Sequence, residues 1–188
     1  MDKLHIAWLG KKTPFCGNVT YSREITNSLL DRGHQVSFLH FAQEESEPEN
    51  WPDCPEVSLP FLYKSQVYTI PTLKSGKVLM QSLRDLKPDV VHASLTLSPL
   101  DFLLPEICQE LDLPLVATFH TPYARKGAKL KSGTQLLAYQ LYAPFLANYN
   151  RVIVFSEIQR ELLARMGVPA NQVAVIPNGV DEQKYSPG

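Results

Sequence analysis

Seven short apolar runs divide the chain: Leu4 to Leu9, His34 to Phe41, "EVSLP" from Glu56, "DVVHAS" from Asp89, "PLVATFH" from Pro114, "RVIVFS" from Arg151 and "QVAVIP" from Gln172. Most lack the polar–apolar alternation of a strand with one face in water, so they read as strands buried on both faces. The stretches between them carry helical spacing. Val19, Ile25, Leu29 and Leu30 recur over residues 18–32 and stop at Gly33, and Leu73, Val78, Leu79, Leu83 and Leu86 mark a helix that Pro88 ends. Ser98-Pro99 opens another, with a capping hydroxyl followed by proline in the first turn. A long helix is expected from roughly Thr134 to Asn148, bent near Pro144. The last is capped by Ser156, turns Leu162, Leu163 and Met166 inward and stops at Gly167. Strands alternating with helices give a doubly wound, mostly parallel, seven-stranded Rossmann-like α/β sheet with helices on both faces. The acidic, proline-bearing segment from Gln43 to Pro55 is expected as a surface loop.

A chain of 188 residues with 44% hydrophobic and 20% charged residues has the size and composition of one globular domain. Its formal net charge of -1 gives no global pull toward nucleic acid, so electrostatic steering must come from local patches. Cys16, Cys54 and Cys108 are scattered without a C-x-x-C pair, which suits a reducing, cytoplasmic setting. The N-terminal apolar run meets polar residues by Lys11 and lacks the long apolar region of a signal peptide, and no stretch is long enough to span a bilayer.

In a doubly wound sheet ligands bind outside the carboxyl ends of the strands. That rule selects "GKKTPFCGN" after the first strand, "ASLTLS" after the fourth, "HTPYARKG" after the fifth, Ser156 after the sixth and "NGVD" after the seventh. Gly17, ahead of the first helix, is either an ordinary turn glycine or the opening through which a phosphate reaches the helix's unpaired N–H groups. The loop is neither a full G-x-G-x-x-G nor a P-loop. His120 ends an apolar strand, where it either caps the strand or projects into the cleft to donate a hydrogen bond to a hydroxyl or phosphate. His5, His34, His40 and His92 are assigned to core or surface. No two histidines share metal-ligand spacing, so no metal is expected. "YARKGAKLK", with Arg125, Lys126, Lys129 and Lys131, is either a solvated basic loop or a contact for anionic headgroups. Lys64, Lys74 and Lys77, interleaved with Phe61, Tyr63 and Tyr68, fit either an interfacial surface or a half-buried helix. Neither patch comes with a nucleic-acid-binding module. No Ser-His-Asp set, nucleophile elbow or carboxylate pair stands out, so spacing alone defines a ligand-binding domain without naming a reaction.

"VAVIPNGVDEQKYSP" following "RVIVFSEIQRELLARMGVP" resembles the end of the N-terminal domain of a glycosyltransferase family 4 enzyme of the GT-B fold. "FCGNVTYSREITNSLLDRGHQVSFL", "LKPDVVHAS" and "PLVATFHT" are similar to that family's glycine loop, first helix and second, fourth and fifth strands. The resemblance implies one of two Rossmann-like domains around a cleft. Residues 1–177 would be the acceptor-side domain and 178–188 the start of an interdomain linker, with the nucleotide-sugar domain and its paired-glutamate motif absent.

By position, the resemblance places Gly17, with the adjacent Asn18, against the donor diphosphate. By the same match His120 would reach the transferred sugar, Ser156 would border the cleft, and Asn178 and Gly179 would form the cleft-lining turn before the linker. Cys16 stands where the family often has a second glycine. The implied reaction moves a sugar from a UDP- or GDP-hexose donor to an acceptor hydroxyl, with retention at the anomeric carbon and no cofactor or bound metal. The acceptor is a glycan or a membrane lipid, and the enzyme cytoplasmic or peripheral on the cytoplasmic face of an anionic membrane. Residues 1–188 alone are expected to transfer nothing. The alternative is a non-catalytic α/β module that binds such an acceptor.

Overall fold

A computed structural model describes residues 3–13, 15–41, 50–121 and 129–179, with residues 129–135 as backbone only. Seven strands form one sheet, β1 (His5–Gly10), β2 (Gln35–His40), β3 (Glu56–Ser58), β6 (Val90–Ser94), β7 (Leu115–Thr118), β8 (Arg151–Val154) and β9 (Val173–Val175), in the order β3-β2-β1-β6-β7-β8-β9. Every pairing in it is parallel. The remaining two strands, β4 (Phe61–Lys64) and β5 (Thr69–Pro71), pair antiparallel as a separate hairpin.

Among the described residues the α-helices are α1 (Gly17–Asp31), α2 (Ser75–Leu86), α3 (Pro99–Glu110), α4 (Lys129–Leu146) and α5 (Glu157–Arg165). Side chains two apart along a strand share a face, so Ile6 and Trp8 lie on one side of β1 and Ala7 and Leu9 on the other. The first set joins Val36, Phe38 and the α1 residues Tyr21, Ile25, Leu29 and Leu30 in a small core. The second joins Leu79 and Leu83 of α2, Leu100 and Leu104 of α3, Tyr142 and Leu146 of α4 and Leu163 of α5 in the main core. Right-handed crossovers explain the division, because α1 leads leftward from β1 to β2 while α3 and α5 lead rightward. Gly10 lets α1 approach, since a Cβ there would sit 2.9 Å from both Ser22 Oγ and Trp8 Nε1.

The structure corrects three expectations. Residues 61–71 are not a half-buried helix but the β4–β5 hairpin. Leu73 belongs to no helix face: α2 starts at Ser75, and Leu73 is fully exposed. A helical reading of the lysine- and aromatic-bearing stretch failed because its apolar residues are mostly on the outside: Leu62, Tyr63, Val67, Tyr68 and Ile70 are all exposed. Helix α4 also begins earlier than the apolar spacing suggests, at Lys129.

The start of α3 sets the shape of the loop after β6. Ser98 and Asp101 form a capping box. The buried Asp101 carboxylate accepts from Ser98 N at 3.0 Å, Thr96 N at 3.3 Å and the Tyr142 hydroxyl at 2.7 Å, while its main-chain oxygen accepts from Tyr149 Oη at 2.8 Å. These bonds hold Leu97 at a φ of 53°, a left-handed conformation that costs a branched-carbon residue energy unless its surroundings impose it. Asp101→Ala strands two main-chain N–H groups and a buried phenol at once, so a loss of about 3 kcal/mol or more is expected in equilibrium urea unfolding. A loss under about 1 kcal/mol would show that the loop does not depend on this carboxylate.

Candidate functional site

A cleft of about 320 Å³ opens at the carboxyl ends of β1, β6 and β7. Its walls include Lys11, Gly17, Asn18, Leu95, Thr96 and His120, with Gln66 and Val67 of the hairpin turn. A larger cavity, about 740 Å³, lies at the opposite end of the sheet between α3 and α4, lined by Phe102, Cys108, Phe145 and Asn148 among others. None of the candidate ligand-site residues drawn from the sequence lines it, and it faces the amino ends of the strands, away from where doubly wound sheets bind ligands.

Two polar chains run beneath the cleft. Asn18 donates from Nδ2 to Leu95 O at 3.0 Å, and its Oδ1 accepts from Ser94 Oγ at 2.8 Å and Ser22 Oγ at 3.4 Å. Ser94 Oγ also lies 2.8 Å from His120 Nε2. Beside this, Thr118 Oγ1 joins His92 Nε2 at 2.9 Å and Tyr21 Oη at 3.1 Å. The register produces the alignment: Ser94 pairs with Thr118 and Trp8 with His92, so these side chains share the face covered by α1. His92 stacks on Trp8 with ring centroids 4.1 Å apart, and His120 is edge-on to Tyr21 at 4.8 Å and near Phe155 at 5.4 Å.

Burial in this aromatic setting pushes the His120 pKa down to about 4 and that of His92 down to about 3, the latter also disfavoured by His120. Burial likewise raises Asp101 to about 6, against the hydrogen bonds that favour its ionised form. Lys11 is buried and shifted down by desolvation, and its ammonium donates to Ser65 O at 3.1 Å and Gln66 O at 2.8 Å. It thus ties the hairpin turn to the β1 loop and carries a cation to the cleft wall.

Gly17 is the first residue of α1, and Cys16 before it provides no side-chain cap; the first turn holds no acid. A Cβ at Gly17 would meet nothing within 4 Å, and its φ is not in the left-handed region. Neither packing nor backbone conformation therefore demands glycine. Its missing side chain leaves room over the positive end of α1.

The structure thus brings Gly17, Asn18 and His120 into one cleft. Ser156 caps α5, accepting from Gln159 N at 3.4 Å, and stands behind the wall: Gln159 Nε2 donates to Thr121 O at 3.1 Å. Asn178 and Gly179 are exposed at the end of the described chain and do not line the cleft. Arg125 and Lys126 lie outside the described residues, as do the side chains of Lys129 and Lys131, whose backbone opens α4. Sequence reasoning held Lys11 and Ser94 within selected loops without singling out either, missed Thr118 and Tyr21, and assigned His92 to core or surface. The available signal was polar residues two apart in apolar strands, His92 with Ser94 and Thr118 with His120, which puts each pair on one face. Among the described residues no group of three or more His, Cys, Asp or Glu is placed to hold a metal ion, and no described helix is long and apolar enough to cross a membrane.

The fold is a Rossmann-like α/β domain with a cleft at the strand carboxyl ends, of the kind that forms one half of a GT-B enzyme. The chain belongs to Glycosyltransferase Family 4, whose model matches residues 16–184. It is 26% identical over 174 residues to the alpha-monoglucosyldiacylglycerol synthase of Streptococcus pneumoniae, covering 90% of this chain and 38% of that protein. Among solved structures it is similar to a glycosyltransferase from Rickettsia africae, with a TM-score of 0.64 and 15% identity over 97% of this chain and 45% of the other. HepE from Anabaena, solved with UDP-glucose, gives a TM-score of 0.64 and 17% identity over 97% and 46%. At such identities the solved structures show the shared fold alone. The chain spans less than half the length of each of these three proteins.

The buried histidines give the protein a signed pH response. Their folded pKa values lie below the ordinary 6.5, so the unfolded chain protonates first as pH falls. Their contribution is complete above 6.5 and is lost down to about 4 for His120 and about 3 for His92. Asp101 acts oppositely: raised from 3.8 to about 6, it favours the folded state as pH falls through that window. Two histidines against one carboxyl leave a net loss, so the urea midpoint is expected to fall between pH 6 and pH 4. A midpoint that rises over that range would contradict the buried, neutral rings.

Proposed function

We propose that this domain forms the acceptor-side wall of a retaining glycosyltransferase. The enzyme would move a hexose from a UDP- or GDP-sugar to an acceptor hydroxyl, working with a second domain that holds most of the nucleotide sugar. The observation that carries the proposal is that the open N-terminus of α1 at Gly17, the Lys11 ammonium and the His120 ring meet in one cleft of a family 4 domain. A departing nucleoside diphosphate gains negative charge in the transition state. A helix N-terminus and a fixed cation stabilise that charge without reorganising. His120 then sits beside the sugar. No carboxylate lines the cleft among the described residues, so this wall offers neither a nucleophile nor a general-acid pair. Its part is to orient and to stabilise charge, and closure of the second domain excludes water. Family membership is the support for retention.

A lipid acceptor on an anionic membrane is favoured by the hairpin. Its turn residue Val67 lines the cleft, and Leu62, Tyr63, Tyr68 and Leu73 are exposed beside Lys64 and the exposed Lys74 and Lys77. Exposed apolar side chains with interleaved lysines suit the boundary between headgroups and acyl chains. The pneumococcal relative is by name a glycolipid synthase. Arg125, Lys126, Lys129 and Lys131 belong to the same proposal as further anionic-headgroup contacts. Asn18 and Ser156 would support the donor side, and Asn178 with Gly179 the turn toward the second domain.

Cosedimentation of the chain with vesicles is expected to show binding to phosphatidylglycerol-containing but not purely phosphatidylcholine membranes, weakened by replacing Leu62, Val67 and Leu73 with serine. Binding to neither vesicle makes a water-soluble glycan the acceptor. Residues 1–188 alone are expected to release no nucleotide from UDP-glucose, and turnover by them alone would contradict the two-domain reading. In the intact enzyme, Gly17→Ala is expected to keep or raise stability by up to about 1 kcal/mol, because alanine favours a helix where its Cβ fits. Turnover should nonetheless fall at least tenfold. His120→Ala should likewise cost far more activity than stability; unchanged turnover in either variant removes that residue from the site.

A further inference from the structure

The hydrogen bonds around His120 fix more than its position. Leu95 O is a carbonyl oxygen and can only accept, so the Asn18 atom 3.0 Å from it is the amide nitrogen. Asn18 Oδ1 therefore faces the two serines, and as an acceptor it takes the hydroxyl protons of Ser94 at 2.8 Å and Ser22 at 3.4 Å. Ser94 has one proton and spends it there. Toward His120 Nε2, 2.8 Å away, its oxygen can then only accept, so Nε2 must carry the hydrogen. In a neutral imidazole that leaves Nδ1 with a lone pair. Among the described residues no hydrogen bond to Nδ1 is made.

We propose that Ser94, oriented by Asn18, is a positioning residue that locks His120 in its Nε2–H tautomer, so that the ring meets the cleft as a hydrogen-bond acceptor through Nδ1. This reverses the donor role expected from the sequence. An acceptor nitrogen takes a hydrogen bond from a hydroxyl and repels a phosphate oxygen, so His120 selects a hydroxyl group of the sugar or acceptor and leaves the diphosphate to Lys11 and the α1 N-terminus. Two neighbouring recognition elements thereby have opposite polarity, which would orient a nucleotide sugar end to end. The tautomer stands on the hydrogen bonds alone; its meaning for catalysis rests on the proposed glycosyl transfer.

The test is nitrogen-15 NMR of the histidine rings in the labelled full chain at neutral pH, where Nε2–H and Nδ1–H forms have distinct ring-nitrogen shifts. Wild type is expected to show His120 predominantly as Nε2–H. Ser94→Ala removes the partner and should shift the ring toward a mixture. Asn18→Ala frees the Ser94 proton to be donated to Nε2 and should move the ring toward Nδ1–H, a change that loosened packing would not direct. A predominantly Nδ1–H ring in wild type overturns the proposal. So does an unchanged tautomer in folded Asn18→Ala and Ser94→Ala proteins. If neither variant folds, the wild-type tautomer alone decides. Because this readout needs no substrate, it can fail while glycosyl transfer stands, and the reverse.

Discussion

Parallel pairing from β3 through β9 sends every strand's carboxyl end to one edge of the sheet, and right-handed crossovers leave α1 on the face opposite the other helices. Every feature of the cleft depends on this arrangement. It makes the β1, β6 and β7 loops neighbours, although Asn18 and Leu95 are far apart in sequence, and directs the N-terminus of α1 toward them. The single glycine at the end of β1 sets how closely the helix sits: with a side chain there, Ser22 and Trp8 would be displaced and the Asn18 carboxamide with them.

The site's electrostatics follow from the same packing. The rings of Trp8, Tyr21 and Phe155 surround the histidines and strip them of water, which holds both neutral. Neutral imidazoles at fixed tautomers are dipoles with one donating and one accepting end, whereas protonated ones would add charge to a wall that already has Lys11. Buried polar groups of this kind are tolerable because each of Asn18, Ser94 and Thr118 has partners, and a fully connected network defines one arrangement of the loops. Asp101 does the same service one layer lower, where its carboxylate anchors the loop that forms the cleft floor.

Most of the sheet was legible in the sequence because buried parallel strands are short apolar runs, and all seven runs became strands of one sheet. The cap residues Ser98 and Ser156 were legible for the same local reason: a hydroxyl before a helix has one obvious partner. The hairpin was not, since its strands bury little beyond Thr69 and part of Phe61, and its aromatic and lysine residues carry no period that a core imposes. His120 could be chosen from its place at a strand end, but not its role. Which nitrogen holds the proton depends on the Ser94–His120 and Asn18–Ser94 contacts, made across 26 and 76 positions in the chain by register and helix docking. Lys11 lay in a selected loop, but its role was invisible for the same reason, because it arises from carbonyls of a turn more than fifty residues away.

If ligand is held at the carboxyl edge of the sheet, it lies in the cleft at the N-terminus of α1. Titration of the labelled chain with UDP-glucose, followed by backbone amide shifts, tests it most directly. The account predicts saturable changes concentrated at residues 16–18, 94–97 and 119–121. Changes centred instead on the opposite cavity, around Phe102, Cys108 and Asn148, would contradict it.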